Sequence, residues 1–321
     1  MKTVYLPEGN LLGRAENAAA CATAEGLRRA RDTRQVLEGM AVSCDPDRNL
    51  TVRLGPFLGV IPRNETALGI ASGATREIAI LARVGKPVSF LVTGLEEWPD
   101  GAPKPILSRC QAQELALRHI FSTAKPGQIL PATVTHMEPF GAFVDIGCGV
   151  PSMIGIENIS VSRLPHPDCR FRVGQNIYVV VTGLEPERDR VTLSHKELLG
   201  TWEENAALFA PGMTVPGHIR GVKDYGLFVE LLPNLSGLAE PRPGYGEGER
   251  VSVYIKSIQR QQMKVKLLLI DHLEPLDAPE PLTYFHTQGV LRRWRYAPQA
   301  CPRSTAETVF SAGGDERSHP E

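Results

Sequence analysis

Two distant stretches of the chain carry the same arrangement of aromatic residues. PFGAFVDIG places Phe140 and Phe143 on either side of Gly141 and Ala142, and DYGLFVELL places Tyr225 and Phe228 in the same relation around Gly226 and Leu227. Aromatic rings perform no acid–base or nucleophilic step. Exposed on a rigid surface, they stack on unpaired nucleobases, at roughly 1–3 kcal/mol per base. Single-stranded RNA suits such a surface because its bases are free to splay. Strand alternation puts Val144 and Ile146 inward and Phe143 outward beside Asp145; in the later copy Val229 and Leu231 go in, and Phe228 and Glu230 go out. A bend or bulge at Gly141 and Gly226 would bring Phe140 and Tyr225 onto the same surface. The competing reading makes these rings core residues beneath a loop. It stays open, above all for Phe140 and Tyr225, which precede their strands.

Basic residues give a second signal. From Val251 to Lys266 the chain carries Lys256, Arg260, Lys264 and Lys266 and no acid. Alternation turns Tyr254, Lys256, Lys264 and Lys266 outward, where they could follow a phosphate backbone or form an ordinary solvated face. Residues 126–200 hold six Lys or Arg against eight Asp or Glu, so that stretch would depend on stacking and hydrogen bonds. Near the C-terminus Tyr284, Phe285, Trp294 and Tyr296 are interleaved with Arg292, Arg293, Arg295 and Arg303, without an acid. Arg292, Arg293, Trp294 and Arg295 are candidate accessory RNA contacts. The favoured reading has this segment packed back onto the preceding domain through Val290 and Leu291, its arginines in solvent.

Other chemistry is sparse. His166 and Cys169 could be two ligands of a metal, but no further pair stands at suitable spacing, so no metal is expected. Six cysteines lack any C-x-x-C pair and point to reduced thiols. Phosphate-binding loops, H-E-x-x-H, a nucleophile elbow and a dinucleotide fingerprint are all missing, which predicts a non-enzymatic protein without cofactor or small-molecule substrate. A net charge of −1 excludes coating nucleic acid by bulk charge. The opening residues MKTVYLPEGN lack the apolar core of a signal peptide, and no apolar run reaches the ~18 residues of a membrane span. A cytoplasmic protein without a membrane partner is expected.

The elements that must position these residues are mostly strands. PGQILPATVTHMEPFGAFVDI (126–146) aligns without a gap on PGMTVPGHIRGVKDYGLFVEL (211–231), so the chain is an array of similar modules. Short β-branched runs such as IYVVV and VSVYI, separated by Gly and Pro, predict small closed barrels of about 70 residues. A weaker copy lies upstream, where GKPVSFLVTGLE (85–96) parallels GQNIYVVVTGLE (174–185). Its second strand, LTVRL, turns Thr51 and Arg53 outward and has no stacking pair. The expected fold is mainly β: three tandem five-stranded barrels joined by short helices, with an N-terminal helix and a partly irregular C-terminal tail. The expected boundaries are a helical lead at 1–35, barrels at 36–108, 126–195 and 211–271, and linker helices at 109–125 and 196–210. A basic and aromatic segment at 272–321 would end in a disordered tail. Leu115, Ile120 and Phe121 are expected to form the apolar face of the first linker helix.

Taken together, FGAFVDIG, GIENIS, GQNIYVVV and RVTLS, followed by YGLFVEL, GLAE, GERVSVYI and KVKLLL, resemble the S1 domain, the RNA-binding OB fold of bacterial ribosomal protein S1. The resemblance covers about residues 37–271. It implies an RNA face of two aromatics, a histidine on the third strand and a closing acid and arginine. Carried over, these are Phe140, Phe143, Asn158, Glu185 and Arg190 in the second module, and Tyr225, Phe228, Glu240 and Lys264 in the third. Asn158 stands where the family has His, and Glu240 puts an acid in the path of RNA. The resemblance implies binding of single-stranded mRNA at or near the small ribosomal subunit, with the first module docking rather than reading RNA. The alternative is a ribosome- or assembly-docking adaptor with little RNA affinity of its own.

Overall fold

β-branched and aliphatic runs punctuated by Gly and Pro fold as strands throughout the computed structural model, which describes residues 5–298, 301 and 306–310. The first barrel consists of β1 (Leu37–Cys44), β2 (Leu50–Leu54), β3 (Phe57–Ile61), β4 (Pro87–Glu97) and β5 (Pro103–Ser108). The second consists of β6 (Ile129–Glu138), β7 (Gly141–Asp145), β8 (Pro151–Gly155), β9 (Asn176–Glu185) and β10 (Arg190–Ser194). The third consists of β11 (Thr214–Lys223), β12 (Gly226–Leu232), β13 (Leu235–Ala239), β14 (Arg250–Gln259) and β15 (Lys264–His272). In each, first, second, third, fifth and fourth strands are neighbours in that order and the sheet closes. The third and fifth strands run parallel, as at Val60↔Ile106, Thr192↔Met153 and Leu238↔Lys266. All other described pairings within the barrels are antiparallel. This is the OB-type arrangement the sequence predicts.

The chain resolves into two compact units. One holds residues up to Ala124 together with 131–133 and 145–152; the other holds Lys125–Leu130, Val134–Val144 and Met153 onward. In the first unit Leu50, Val52 and Leu54 are buried and Arg53 is exposed, as alternation along β2 requires. The expected single leading helix is two helices, α1 (Ala15–Cys21) and α2 (Ala24–Asp32). The break is chemical: Thr23 adopts an extended backbone and its side chain accepts the Gly26 N–H, capping α2. A one-turn helix, α3 (Ile78–Leu81), precedes β4. The long linker helix, α4 (Arg109–Thr123), is capped by Ser108 and buries Ala112, Gln113, Ala116, Leu117 and Ile120. Leu115 and Phe121, expected on its apolar face, are only half-buried.

In the second unit the core of the third barrel is built from Ile219, Val229, Leu231, Val251, Val253, Ile255, Val265, Leu267 and Leu269. Trp202, Trp294 and Tyr296 complete it from outside the sheet. The linker expected as one helix over 196–210 is a 3-10 turn, Lys196–Leu199, followed by α5 (Trp202–Ala206). Gly200 separates them at φ +80°, a conformation that a helix cannot contain. Thr201 and Glu204 then form a reciprocal capping box at the start of α5.

The C-terminal segment packs back onto this unit. The amide of Leu291 donates to the Gly127 carbonyl and that of Ile129 to the Gly289 carbonyl, while β16 (Arg293–Arg295) pairs with β17 (Glu307–Val309). Of the two expected anchors, Leu291 is half-buried against the cluster of Ile129, Val180 and Leu198. Val290 is 48% exposed, whereas Trp294 and Tyr296 are buried and the Tyr296 hydroxyl donates to the Asn234 carbonyl. Arg303 and the expected disordered end, residues 311–321, lie outside the described residues.

Candidate nucleic-acid interface

The repeated phrase folds as a tight hairpin in both later barrels. Pro139–Phe140 forms the two-residue turn between β6 and β7, and Asp224–Tyr225 the turn between β11 and β12. Phe140 and Tyr225 therefore stand at hairpin tips, 56% and 66% exposed. Phe143 and Phe228 follow on the outer face of the next strand; Phe143 is half-buried and Phe228 is 36% exposed. Each tip ring meets its strand ring edge to face: the Phe140–Phe143 centroids lie 6.1 Å apart at 85°, and the Tyr225–Phe228 centroids 6.1 Å apart at 87°. This is a favoured aromatic geometry.

No bulge at the glycine is needed to bring the rings together. Pairing between β11 and β12 is regular from Gly221↔Phe228 to Lys223↔Gly226, and the register shift lies farther along, between Ile219 and Gly221. The glycines serve a different purpose. A Cβ at Gly141 would collide with the Ile154 carbonyl oxygen, and one at Gly226 with the Ala239 carbonyl oxygen. Only glycine lets the neighbouring strand approach this closely.

A further ring joins the second barrel's pair. His136 on β6 stacks on Phe143, with centroids 5.9 Å apart at 30°. The signal was present in the sequence: a two-residue turn at 139–140 sets His136 opposite Phe143. The third barrel has Gly221 at this position, facing Phe228.

Strand pairing builds the rest of the third barrel's surface. Phe228 faces Leu238, and Leu238 faces Lys266, which makes one row across β12, β13 and β15. Tyr254, 37% exposed, lies opposite Leu268, the next outward position after Lys266 on β15. Lys264 is half-buried and pairs with Gln259. Lys256 is exposed but lies 3.3 Å from Glu240, which occupies it. In the second barrel Glu185 and Arg190 face each other at the open end of β9 and β10, and Glu185 lies 3.3 Å from Arg188. β10 is separated from β7 by β8, so Arg190 does not adjoin Phe143.

The expected equivalence of Asn158 and Glu240 is corrected by the register. Met153↔Thr192 in the second barrel matches Leu238↔Lys266 in the third, and Ile154↔Leu193 matches Ala239↔Leu267. Gly155, not Asn158, therefore occupies the position of Glu240. Asn158 lies beyond the strand in a 3-10 turn, Ile156–Asn158, where its side-chain oxygen accepts the Lys196 ammonium at 2.8 Å.

The acid of the repeated phrase is not on the exposed surface. Asp145 is 4% exposed and accepts the amides of Glu8, Gly147 and Gly149 at 2.7, 2.8 and 2.9 Å. Burial, with the nearby Glu8 charge, pushes its carboxyl up to about 7. Glu8 itself is held below the usual carboxylate range: burial opposes this, but Arg109 at 2.6 Å and Arg83 at 3.3 Å prevail. Glu230 is 3% exposed and takes both guanidinium nitrogens of Arg170, at 3.1 and 2.9 Å. Arg220 adds a contact at 3.1 Å. Burial would raise the Glu230 pKa; the two arginines more than offset it, and the group lies below its ordinary value.

In the tail Trp294 is 4% exposed within the third barrel's core, which removes it from the candidate contacts. Arg292 and Arg293 are exposed, Arg293 with Glu307 as partner, and Arg295 is half-buried. His166 accepts the Asp168 amide and caps the turn Pro167–Cys169.

Residues 123–196 match the family model of the S1 RNA binding domain. The small ribosomal subunit protein bS1 of Leuconostoc lactis is 34% identical over 178 residues, which cover 50% of this chain and 41% of that protein. A bS1 homolog of Bacillus subtilis is 26% identical over 198 residues, covering 57% of this chain and 51% of that one. Over these stretches the chain is similar to bacterial ribosomal protein S1 and carries a match to the S1 RNA binding domain. It matches these S1-like relatives over about half of their length or less. A solved multidomain protein with nucleic acid binding domains from Streptococcus pneumoniae is 16% identical and aligns over 74% of this chain and 73% of its own, at a TM-score of 0.26.

Proposed function

We propose that the second and third barrels bind single-stranded RNA by stacking unpaired bases on two aromatic platforms, Phe140–Phe143 with His136 and Tyr225–Phe228, with Tyr254 on β14 as a separate contact. The observation that carries this reading is the recurrence of one exposed edge-to-face pair, at the same 6.1 Å spacing, in both barrels. Lys266 stands in the same row as Phe228 and supplies a phosphate contact; Lys264, Arg190, Arg292, Arg293 and Arg295 are secondary contacts. Lys256, Glu185 and Asn158 are engaged by neighbouring side chains and reach RNA only by exchanging those partners. The protein acts without catalysis, on mRNA at or near the small ribosomal subunit in the cytoplasm. The first barrel, with Arg53 on its outer face and no aromatic pair, docks to the assembly. No described helix is long and apolar enough to cross a membrane.

The test is a titration against labelled single-stranded and double-stranded RNA at several salt concentrations. Stacking predicts preference for the single strand and a shallow salt slope, since each phosphate neutralised contributes about −0.7 to it. Equal binding of duplex, or none to either, overturns the reading.

A further inference from the structure

The segment 273–283, LEPLDAPEPLT, does not follow the barrels' strand pattern. It runs past β11, β12, β14 and the turn at 168–172 and closes a cavity of about 560 Å³. Three arginines from three separate elements line this cavity: Arg170 in the turn, Arg220 on β11 and Arg250 on β14. Each has a buried Nε–H that meets no acceptor among the described residues. Arg170 is only 6% exposed. Donors in such a position are costly unless an acceptor reaches them. His218, half-buried, also lines the cavity, and burial holds its pKa below the ordinary value.

The lining acids are already committed. Glu230 holds Arg170 and Arg220, Glu280 lies 3.4 Å from Arg250, Glu249 3.6 Å from His272, and Asp168 3.0 Å from His166. Arg172, also in the lining, donates to the Asp277 carbonyl and has no acidic partner among the described residues. Leu231, Leu273, Pro275, Leu276 and Pro279 add apolar surface to the lining.

We propose that this cavity binds a phosphate-bearing small molecule of nucleotide size. Arg170, Arg172, Arg220 and Arg250 bring four guanidinium groups to one cavity, and phosphate is the group their planar geometry recognises best. The volume lies within the ~300–1,000 Å³ of small-molecule sites and far exceeds a bare phosphate. The Leu and Pro side chains of the lining offer apolar contact for a base. A free nucleotide and the 5′-phosphorylated end of an RNA share this chemistry.

The test is calorimetric titration of the whole chain with AMP and UMP, with adenosine and uridine, and with inorganic phosphate. Nucleotides bind, and nucleosides bind at least about tenfold more weakly. Arg250→Gln weakens nucleotide binding by at least about tenfold while leaving the melting temperature in place. Phe228→Ala leaves nucleotide affinity unchanged, which separates this site from the aromatic platform. Should Arg250→Gln unfold, His218→Gln gives the same comparison. A preference for 5′-phosphorylated over 5′-hydroxyl RNA that Arg250→Gln removes assigns the site to RNA ends; AMP binding without that preference assigns it to free nucleotides. Equal affinity for nucleoside and nucleotide, no binding of either, or an unchanged folded variant overturns the proposal.

Discussion

Glu230 is a single carboxylate shared by two arginines, and that predicts an asymmetry between substitutions. It is 3% exposed, and the Arg170 and Arg220 side chains are 7% and 12% exposed. Glu230→Gln keeps the shape but leaves two buried guanidinium groups without a counter-charge. Removing one partner of a buried ion pair costs about 3–5 kcal/mol, and here two cations are stranded by one change, so the upper part of that range is expected. Arg170→Met removes one cation and leaves Glu230 paired with Arg220, so it should cost less, about 1–3 kcal/mol. The double variant should cost less than the sum of the two, because Glu230→Gln strands a charge that Arg170→Met has already removed. The assay is urea unfolding followed by tryptophan fluorescence, since Trp202 and Trp294 both report the third barrel's core. Acid should act the same way. Glu230 has a depressed pKa when folded, so its contribution is present above the unfolded carboxylate range and is lost as pH falls through its folded value. A Glu230→Gln cost below about 1 kcal/mol, or below that of Arg170→Met, would refute this account of the pair.

Two further effects follow from burial. His195 is fully buried, donates Nδ1–H to the Ile159 carbonyl at 2.7 Å and accepts the Tyr284 hydroxyl at 3.0 Å. Burial lowers its pKa to about 4, against 6.5 for the free side chain. The unfolded chain therefore takes up a proton first, and stability falls by about 3 kcal/mol as pH drops from about 6.5 to about 4. Unfolding midpoints at several pH values, compared between wild type and His195→Gln, should show that dependence only in the wild type. Trp294→Ala opens the core beneath the tail and should cost about 3–5 kcal/mol, whereas Arg293→Gln, at a solvent-exposed pair, should leave the melting temperature in place. Similar shifts for the two would contradict the buried strap.

The repeated aromatic phrase was readable because every part of it is local. Alternation turns Phe143 and Phe228 out, and a two-residue turn carries Phe140 and Tyr225 to them. Closure of three barrels followed from β-branched runs at even spacing. The fate of Asp145 and Glu230 was not readable, because the groups that bury them, Glu8 and Arg170, come from distant parts of the chain. Trp294 misled for the same reason: an aromatic among arginines has the same composition whether it faces RNA or fills a core. Asn158 misled through register. The ungapped offset that matches Phe143 to Phe228 also matches Met153 to Leu238 and Gly155 to Glu240. Matching Gly155 to Gly237 instead slips the alignment by three positions, and an odd slip inverts the faces of a strand.

The most direct test of the stacking account is the affinity of the paired variant Phe143→Ala/Phe228→Ala for a single-stranded RNA of about 20 nucleotides, a length that spans two OB folds at ~4–16 nucleotides each. Circular dichroism establishes that the variant is folded. The account predicts a loss of about 2 kcal/mol or more with the salt slope unchanged, because bases are lost from the contact and phosphates are not. Unchanged affinity in a folded variant would contradict it.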